Sequence, residues 1–379
     1  MVMARPVESW NLGLGPITCH AWNKDRTRLA VSPGNHEVHV LQFQNGQWNS
    51  VQVLAEHDLP VTGIDWAPNS DRIVTCSQDK NAFVWTPDAG RSSWRPELVL
   101  LRLSRAATCV QWSPRENKFA VGSASKLVAV CHYEDESNWW VAKHLKKPIR
   151  STVTSIDWHP NNVLLAVGAC DFKARVFSAY VKEVDEKPTP NPWGSKMPFG
   201  QLMSEYSNGG GGWVHAVRFS TDGCKLAWVG HDSSLSVVDA TANDGVVTAK
   251  GSHLPFTSLL WVSKSSVVAA GHDCCPMLFW HEAGGMRFAS KLDVPASERT
   301  AGGGGVRARM GLFANMDKKG TNAVDTTLDT LHQNTITSVA AHTAAPSAVS
   351  KFSTTGRDGK LCKWDLKGLE NQISAVVLK

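Results

Sequence analysis

The feature that most constrains the fold of this chain is an internal repeat of about 44 residues. Four copies align without a gap, and they begin at Pro60, Ala106, Thr152 and Trp213. Each has an aromatic residue in its first predicted strand, namely Trp66, Trp112, Trp158 and Phe219. At one fixed distance each aromatic is followed by a polar turn residue, namely Asp79, Ser125, Asp171 and Asp232. Weaker copies start near Ile17, surround Trp261 and start near Thr335, which makes seven.

Each copy reads as four short strands separated by turn residues. In the second copy the predicted strands are Val61–Trp66, Arg72–Ser77, Asn81–Trp85 and Glu97–Leu103. A single four-stranded sheet exposes an apolar face, whereas a closed ring of such sheets buries those faces and leaves only short edges. The sequence therefore predicts an all-β fold, in which residues 1–379 form one seven-bladed β-propeller.

Two copies carry a set of polar residues that is typical of WD repeats. The set comprises His57, Thr75, Asp79 and Trp85 in the second copy, and His332, Asp358 and Trp364 in the seventh. In WD repeats the aspartate binds the histidine, which reaches a strand hydroxyl and then the tryptophan indole. Aspartate, histidine and a hydroxyl also make up hydrolytic triads. A nucleophilic triad should occur once, however, so the recurrence favours a structural role.

Composition excludes several classes of protein. The chain is 42% hydrophobic and 19% charged, which is typical of a globular domain. It has no apolar run long enough for membrane insertion, and its scattered cysteines never form a C-x-x-C pair, which favours reduced thiols. We interpret the basic run of Lys143, Lys146, Lys147 and Arg150 as a solvated loop rather than a patch for an acidic partner. Nucleic acid is not a predicted partner, and neither cofactor nor metal is predicted.

Two segments interrupt the repeat. Residues 180–212, predicted to be an insertion between blades 4 and 5, contain four prolines, which exclude a regular helix or a central strand. The same segment carries Trp193, Met197 and Phe199, which are too apolar for a free linker. We therefore expect it to pack on the propeller or against a partner.

The second insertion, residues 293–333, is predicted to contain a short helical arm between blades 6 and 7. Val306, Met310, Phe313 and Met316 recur at helical spacing, and Arg307, Arg309, Lys318 and Lys319 surround that stripe with positive charge. The stripe either packs back onto the propeller or binds a partner, and the residues alone favour neither. A helix of about three turns is marginal in water, so alone the arm would be a weak ligand.

Several segments are more specific than a generic repeat, namely CHAWNKDRT at 19–27, GIDWAPNSDRIVTC at 63–76, WHPNNVLLAVG at 158–168, NPWGSKMPFG at 191–200, AGHDCCPMLF at 270–279 and DKK at 317–319. Together they resemble the WD-repeat subunit 1 of the actin-related protein 2/3 complex. The resemblance implies a non-catalytic scaffold subunit, located in the cytoplasm with the actin cytoskeleton. Its partners would be the actin-related and small subunits, the mother actin filament, and acidic tails of nucleation-promoting factors. By motif, filament and activator binding would fall on Arg309, Met310, Phe313, Asn315, Met316, Asp317 and Lys318 of the arm, with Arg307 beside them.

Two other interpretations remain open at this point. A WD-repeat adaptor of another assembly would share the fold, because a fold does not determine function. A propeller enzyme would need a catalytic motif, but the sequence has no H-E-x-x-H, G-x-S-x-G, GxGxxG or phosphate-binding loop. The specific insertions favour the scaffold over both.

Overall fold

The protein is a ring of seven four-stranded antiparallel sheets, which confirms the predicted seven-bladed propeller. The structure, a computed structural model, describes residues 7–88, 93–209, 211–242, 245–282, 285–293, 328–345 and 348–367. Blade 1 comprises β2 (Cys19–Trp22), β3 (Arg28–Ser32), β4 (Val38–Gln44) and β5 (Gln47–Leu54). Blade 2 comprises β6 (Val61–Trp66), β7 (Ile73–Ser77), β8 (Ala82–Pro87) and β9 (Trp94–Val99). Blade 3 comprises β10 (Ala107–Trp112), β11 (Lys118–Ser123), β12 (Leu127–Glu134) and β13 (Trp139–Leu145).

The next three blades repeat this order, with the first strand innermost and the fourth outermost. Blade 4 comprises β14 (Val153–Trp158), β15 (Leu164–Ala169), β16 (Lys173–Ser178) and β17 (Leu202–Ser207). Blade 5 comprises β18 (Val214–Phe219), β19 (Lys225–Gly230), β20 (Ser234–Asp239) and β21 (Val246–Lys250). Blade 6 comprises β22 (Phe256–Trp261), β23 (Ser266–Gly271), β24 (Met277–Glu282) and β25 (Gly285–Lys291).

The ring is closed by a strand from the start of the chain. Blade 7 comprises β26 (Ile336–Ala345), β27 (Ala348–Gly356), β28 (Lys360–Asp365) and, as its outermost strand, β1 (Val7–Asn11). β1 runs antiparallel to β28, with Val7 opposite Trp364 and Asn11 opposite Lys360. The residues before Ile17, which match the repeat poorly, thus supply the strand that joins the two ends of the ring.

One predicted strand and one predicted insertion needed correction. The outer strand of blade 2 is Trp94–Val99 rather than Glu97–Leu103, because Leu101 is buried in the following loop and not in the sheet. Pro96 is tolerated in it because an outermost strand has a free edge. In the segment 180–212, β17 completes blade 4, so the insertion proper ends before Leu202 and lies inside blade 4 rather than between blades 4 and 5. Its side chains are largely half-buried or exposed, which hid the strand from a search for apolar alternation.

Neighbouring blades are joined by apolar packing and by a recurring hydrogen bond near the central channel. In one apolar cluster, for example, Trp112 and Phe119 of blade 3 pack with Val84 of blade 2. In the innermost strands a threonine hydroxyl donates to a carbonyl of the next blade. The bonds run from Thr62 Oγ1 to Ala107 O (2.9 Å), from Thr108 Oγ1 to Val153 O (2.7 Å) and from Thr337 Oγ1 to Ile17 O (2.8 Å).

Candidate functional site: the loop face, the channel and the insertions

One face of the ring, here called the loop face, carries the turn between the second and third strands of every blade and the loops between blades. In blade 2 a chain of hydrogen bonds starts on this face. His57 Nδ1 lies 2.7 Å from Asp79 Oδ2, and His57 Nε2 lies 2.8 Å from Thr75 Oγ1, which also accepts the Trp85 indole N–H at 3.0 Å. Burial lowers the pKa of His57 although Asp79 opposes the shift, which favours the neutral imidazole. Thr75 is fully buried and cannot meet a substrate.

Blade 7 holds the same arrangement, with one residue that the sequence analysis left out. His332 Nδ1 lies 3.1 Å from Asp358 Oδ1, and His332 Nε2 lies 2.8 Å from Thr354 Oγ1. The Trp364 indole donates to the same hydroxyl at 2.9 Å. Thr354 precedes Asp358 by the same interval as Thr75 precedes Asp79, so spacing alone could have found it.

Where the full set is absent, the turn residue still fixes the loop between blades. Ser125 Oγ accepts the Arg105 N–H at 2.8 Å, Asp171 Oδ2 accepts the Arg150 N–H at 2.9 Å, and Asp273 Oδ2 accepts the Leu254 N–H at 2.8 Å. The position therefore accepts a backbone N–H at the surface of the ring and holds the loop between two blades in place. This common geometry argues for a structural task.

A second polar network lies where blades 1 and 7 meet. His20 Nε2 lies 2.8 Å from Ser353 Oγ, and His20 Nδ1 lies 2.9 Å from Thr355 Oγ1. The Trp22 indole also donates to Ser353 Oγ, at 2.8 Å. Burial, together with the charge of Arg26, lowers the pKa of His20 to about 3. Sequence reasoning missed this network because its members come from opposite ends of the chain.

The central channel encloses about 480 Å³ and is lined by both charged and apolar residues. Asp65 Oδ2 accepts the Trp112 N–H at 2.7 Å, and Asp157 Oδ2 accepts the Phe219 N–H at 2.7 Å, so each carboxylate joins its blade to the next. Burial raises the pKa of Asp65 to about 6, against the effect of the Trp112 and Trp66 backbone N–H groups that donate to it. Within the described part of the chain, no three His, Cys, Asp or Glu residues are placed to hold a metal ion.

The insertion that follows β16 is packed on the propeller. The Lys118 ammonium, fully buried, donates to Asp185 and to the Ala179 carbonyl, the latter at 3.1 Å, and lies 5.1 Å from the centre of the Trp158 ring. The Trp193 indole, also buried, donates to the Gly223 carbonyl at 2.8 Å. Of the two expectations for this segment, packing on the propeller is therefore the one observed.

Comparison with known proteins gives both the repeat and the family. The model for the WD domain, G-beta repeat, matches residues 48–86 and 143–178, each running from the outer strand of one blade into the next blade. Actin-related protein 2/3 complex subunit 1A-B of Xenopus laevis is 56% identical over 368 residues, covering 96% of this chain and 97% of that protein. Subunit 1 of Schizosaccharomyces pombe is 43% identical, covering 92% and 96%, and subunit 1A of Arabidopsis thaliana is 40% identical, covering 94% and 96%.

The chain belongs to the subunit 1 family of the actin-related protein 2/3 complex.

The arm residues of this subunit 1 protein, Arg307, Arg309, Met310, Phe313, Asn315, Met316, Asp317 and Lys318, lie outside the described residues. The structure does describe where the chain leaves and re-enters the propeller. The Leu331 N–H donates to Asp293 Oδ2 at 2.6 Å, and Asp293 is buried. Both ends of the segment 294–327 are therefore held side by side at the loop between blades 6 and 7.

In the folded protein, part of the basic run identified in the sequence lies beside other cationic side chains. Lys146 and Lys147 line a cavity of about 430 Å³ on the loop face together with Arg102 and Lys126. Lys143 instead pairs with Glu183, at 2.8 Å. Among the described residues, no helix is long and apolar enough to cross a bilayer.

Proposed function

We propose that this chain is a non-catalytic scaffold subunit of an actin-related protein 2/3 complex, acting in the cytoplasm at the actin cytoskeleton. In that role it supports actin filament nucleation and branching. The observation that carries the proposal is identity of 40–56% with subunit 1 proteins of a frog and a plant over nearly the whole length of each chain. The buried hydroxyls of Thr75 and Thr354 support the absence of catalysis, because neither can attack a substrate.

The rigid ring suits a scaffold because its blades are held by many separate interactions. Threonine bridges, buried aspartates and aromatic packing all join one blade to the next. Loops fixed in this way present a constant surface to neighbouring subunits, and pre-organised surfaces lose less entropy on binding. The partners we propose are the actin-related subunits and the small subunits of the same complex.

Within this function we assign the arm to the mother filament and to the acidic tails of nucleation-promoting factors. Its residues combine an apolar stripe, including Met310 and Phe313, with the cations Arg307, Arg309 and Lys318. An amphipathic acidic segment is complementary to that mixture. The bond between Asp293 and Leu331 supports the assignment, because it fixes the base from which the arm would act.

Copurification tests the assembly. The tagged chain is expressed in its own cells, purified by affinity and size exclusion, and its partners are identified by mass spectrometry. We expect two actin-related proteins and four small subunits in equal amounts. Recovery of other partners without actin-related proteins would refute the proposal and leave a WD-repeat adaptor of a different assembly.

Replacing Met310 and Phe313 together with alanine tests the arm. We expect the complex to assemble normally, and branching by the reconstituted complex to fall about tenfold, as when a few buried apolar anchors are lost from an interface. Branch density is counted by fluorescence microscopy of growing filaments. Trp139→Ala serves as the control, since this residue is 46% exposed on blade 3 and should leave branching unchanged. Equal branching by the wild-type and arm variants would exclude the assignment.

A further inference from the structure

The loop face of blade 3 carries a basic cavity, here called the blade 3 cavity. It encloses about 430 Å³, a volume in the range of small-molecule pockets. Its cations come from three loops: Arg102 lies between blades 2 and 3, Lys126 lies in the turn between β11 and β12, and Lys146 and Lys147 lie between blades 3 and 4. The fold therefore gathers cations that are far apart in the sequence, and a search for basic runs could not detect them as one group.

These four cations have no counter-charge among the described residues. The residues that line the cavity include no carboxylate, and none of the four cations forms an ion pair with a described residue. The turn residue of the next blade, Asp171, is already engaged by the Arg150 N–H at 2.9 Å and by the Arg175 guanidinium at 2.9 Å. A cleft lined by charges of one sign concentrates ions of the opposite sign, so this cavity attracts an anion.

Blade 3 also lacks a carboxylate that most other blades carry at this place. In blades 2, 4, 5, 6 and 7 the turn position is an aspartate, namely Asp79, Asp171, Asp232, Asp273 and Asp358. In blade 3 it is Ser125, which lines the cavity. Its Oγ accepts the Arg105 N–H at 2.8 Å and the Ser104 N–H at 3.1 Å. A hydroxyl in place of a carboxylate therefore still fixes the loop, but it leaves the cavity positive.

The loops that present the cations are held by contacts of their own. His144 Nε2 lies 2.9 Å from the Leu101 carbonyl, which ties β13 to the loop that carries Arg102. Arg102 has a φ of 53°, in the left-handed region that residues with a side chain seldom adopt. Leu127 and Ile149, which also line the cavity, are each only 7% exposed. A cavity formed in advance loses less entropy when a ligand binds.

The charge and size of the cavity indicate the class of ligand. Four cations around so small a volume are complementary to several negative charges in one small molecule, whereas a peptide carries at most one carboxylate per residue, spaced about 3.3–3.6 Å apart along an extended chain. The apolar lining residues are buried, so they offer no exposed pocket to an apolar side chain. A phosphate group carries up to two charges and three oxygens that accept hydrogen bonds from arginine and lysine. A small ring that bears several phosphates therefore fits the site best.

We propose that the blade 3 cavity binds a small, multiply phosphorylated ring of the inositol phosphate class, free in solution or as the headgroup of a lipid. One phosphate group faces Lys146 and Lys147, and another faces Arg102 and Lys126. All of these residues lie on blade 3 and its flanking loops. The inference therefore goes beyond the proposed function and does not depend on the arm.

Isothermal titration calorimetry tests the proposal, with inositol hexakisphosphate as the probe and the complex that copurifies with the tagged full chain as the protein. We expect saturable binding that weakens as salt is added. Cosedimentation with vesicles then distinguishes the two sources. Binding to vesicles that contain phosphatidylinositol bisphosphate, but not to phosphatidylserine vesicles of equal charge, identifies the lipid headgroup. Binding of the soluble probe without binding to vesicles identifies the free compound.

A matched pair of variants at Ser125 tests the role of charge. Ser125→Asp keeps the acceptor that Asp79 and Asp171 supply at the same position, so the melting temperature should not change. It adds a carboxylate to the cavity, however, and should weaken binding about tenfold. Ser125→Asn is neutral and nearly the same size as the aspartate variant, and it should leave the affinity within about twofold.

A second pair of variants locates the site. Lys146→Glu combined with Lys147→Glu should weaken binding about tenfold or more. Arg287→Glu combined with Lys291→Glu makes the same charge change on the outer strand of blade 6, where both side chains are exposed. This control should leave the affinity within about twofold.

Three results would overturn the proposal. The first is that neither the soluble probe nor the vesicles bind to the wild-type complex. The second is wild-type affinity in both Ser125→Asp and the Lys146 and Lys147 variant. The third is an equal loss of affinity in the blade 6 control, which would mean a general attraction of polyanions to the protein. Copurification of the partners needs no phosphorylated ligand, so failure of this inference and failure of the proposed function are separable.

Discussion

Single hydroxyl groups have large roles at the residue scale, because one oxygen serves two partners. Thr75 Oγ1 lies within hydrogen-bond distance of both His57 Nε2 and the Trp85 indole, and Thr354 Oγ1 serves His332 and Trp364 in the same way. These groups are buried, so a lost bond is not replaced by water. The energetic effect of the hydroxyl is therefore larger than that of a surface hydrogen bond.

Thr75→Val should lower the free energy of unfolding by about 1–3 kcal/mol for each buried group left without a partner. The shape of the side chain is retained, so the effect reports the lost hydroxyl and not a cavity. Urea unfolding followed by tryptophan fluorescence measures it. Thr189→Val is the control, because Thr189 is exposed in the insertion. Equal midpoints for Thr75→Val and the wild type would contradict a stabilising role for the network.

His20 should make stability depend on pH. Its pKa is about 3 in the folded protein and 6.5 in the unfolded chain, so between these values the unfolded state binds about one more proton. The stabilisation contributed by this group is thus fully present above about pH 6.5 and is lost as the pH falls. Over that range the free energy of unfolding decreases by up to about 1.4 kcal/mol per pH unit. Burial also lowers the pKa of His132 and His159, which act in the same direction.

Urea midpoints from about pH 4 to pH 7 measure this slope. In His20→Gln the slope should fall by the contribution of about one proton. The same replacement at His36, which is exposed, should leave it unchanged. An unaltered slope in His20→Gln would show that the buried imidazole does not account for it.

At the scale of elements, the insertion between β16 and β17 shows how a proline-rich segment is held without regular structure. Asp185 binds the Lys118 ammonium, the Val181 N–H at 2.8 Å and Asn162 Nδ2 at 2.8 Å. One carboxylate therefore binds the segment's own backbone at Val181, Lys118 of blade 3 and Asn162 of blade 4. Trp193 adds a second anchor at Gly223, in blade 5.

Asp185→Ala should destabilise the protein by about 3–5 kcal/mol, because it leaves a buried ammonium without its counter-charge. Adding Lys118→Met should recover part of that loss, since the uncompensated charge is then removed as well. Thermal unfolding of both variants measures the difference. A double variant less stable than Asp185→Ala would argue that the pair is not the source of the effect.

The apolar alternation of inner strands made most elements predictable, while the outer strands were harder to find. β6 was predicted with its observed bounds because both of its ends are marked by turn residues and its side chains are mostly buried. β9 and β17 are outermost, so they carry exposed side chains, and β9 also tolerates a proline. At the candidate site, fixed spacing revealed His57 and Asp79, but pairs distant in sequence, such as His20 with Ser353, leave no local signal.

On the scale of the whole molecule, β1 joins blade 7 to blade 1. It completes the sheet of blade 7, and its Trp10 packs against Phe43 and Trp48 of blade 1 with ring centroids 5.6 Å and 6.2 Å apart. Lys363 of β28 lies 5.5 Å from the Trp10 ring and pairs with Glu8 at 2.8 Å. A short strand therefore links the only two neighbouring blades that are not consecutive in the chain.

Deleting residues 1–11 should lower the melting temperature and promote self-association, because β28 then presents an unpaired edge. Calorimetry and size exclusion at several protein concentrations test both effects. Deletion of residues 1–5 spares β1 and serves as the matched control. If the protein lacking residues 1–11 melts like the control and stays monomeric, β1 is dispensable for closure of the ring.

Pairing β1 with β28 also sets the order of events during synthesis. β1 leaves the ribosome first and β28 almost last, so at about 5–20 residues per second they are separated by roughly 20–70 s. Throughout that interval the blades already synthesised form an open array, because the first and last blades are not yet joined. A translation product that stops before Lys360 lacks the strand with which β1 pairs, and it cannot close the ring through β1. Only a chain that extends through β28 can therefore close the ring by pairing with β1.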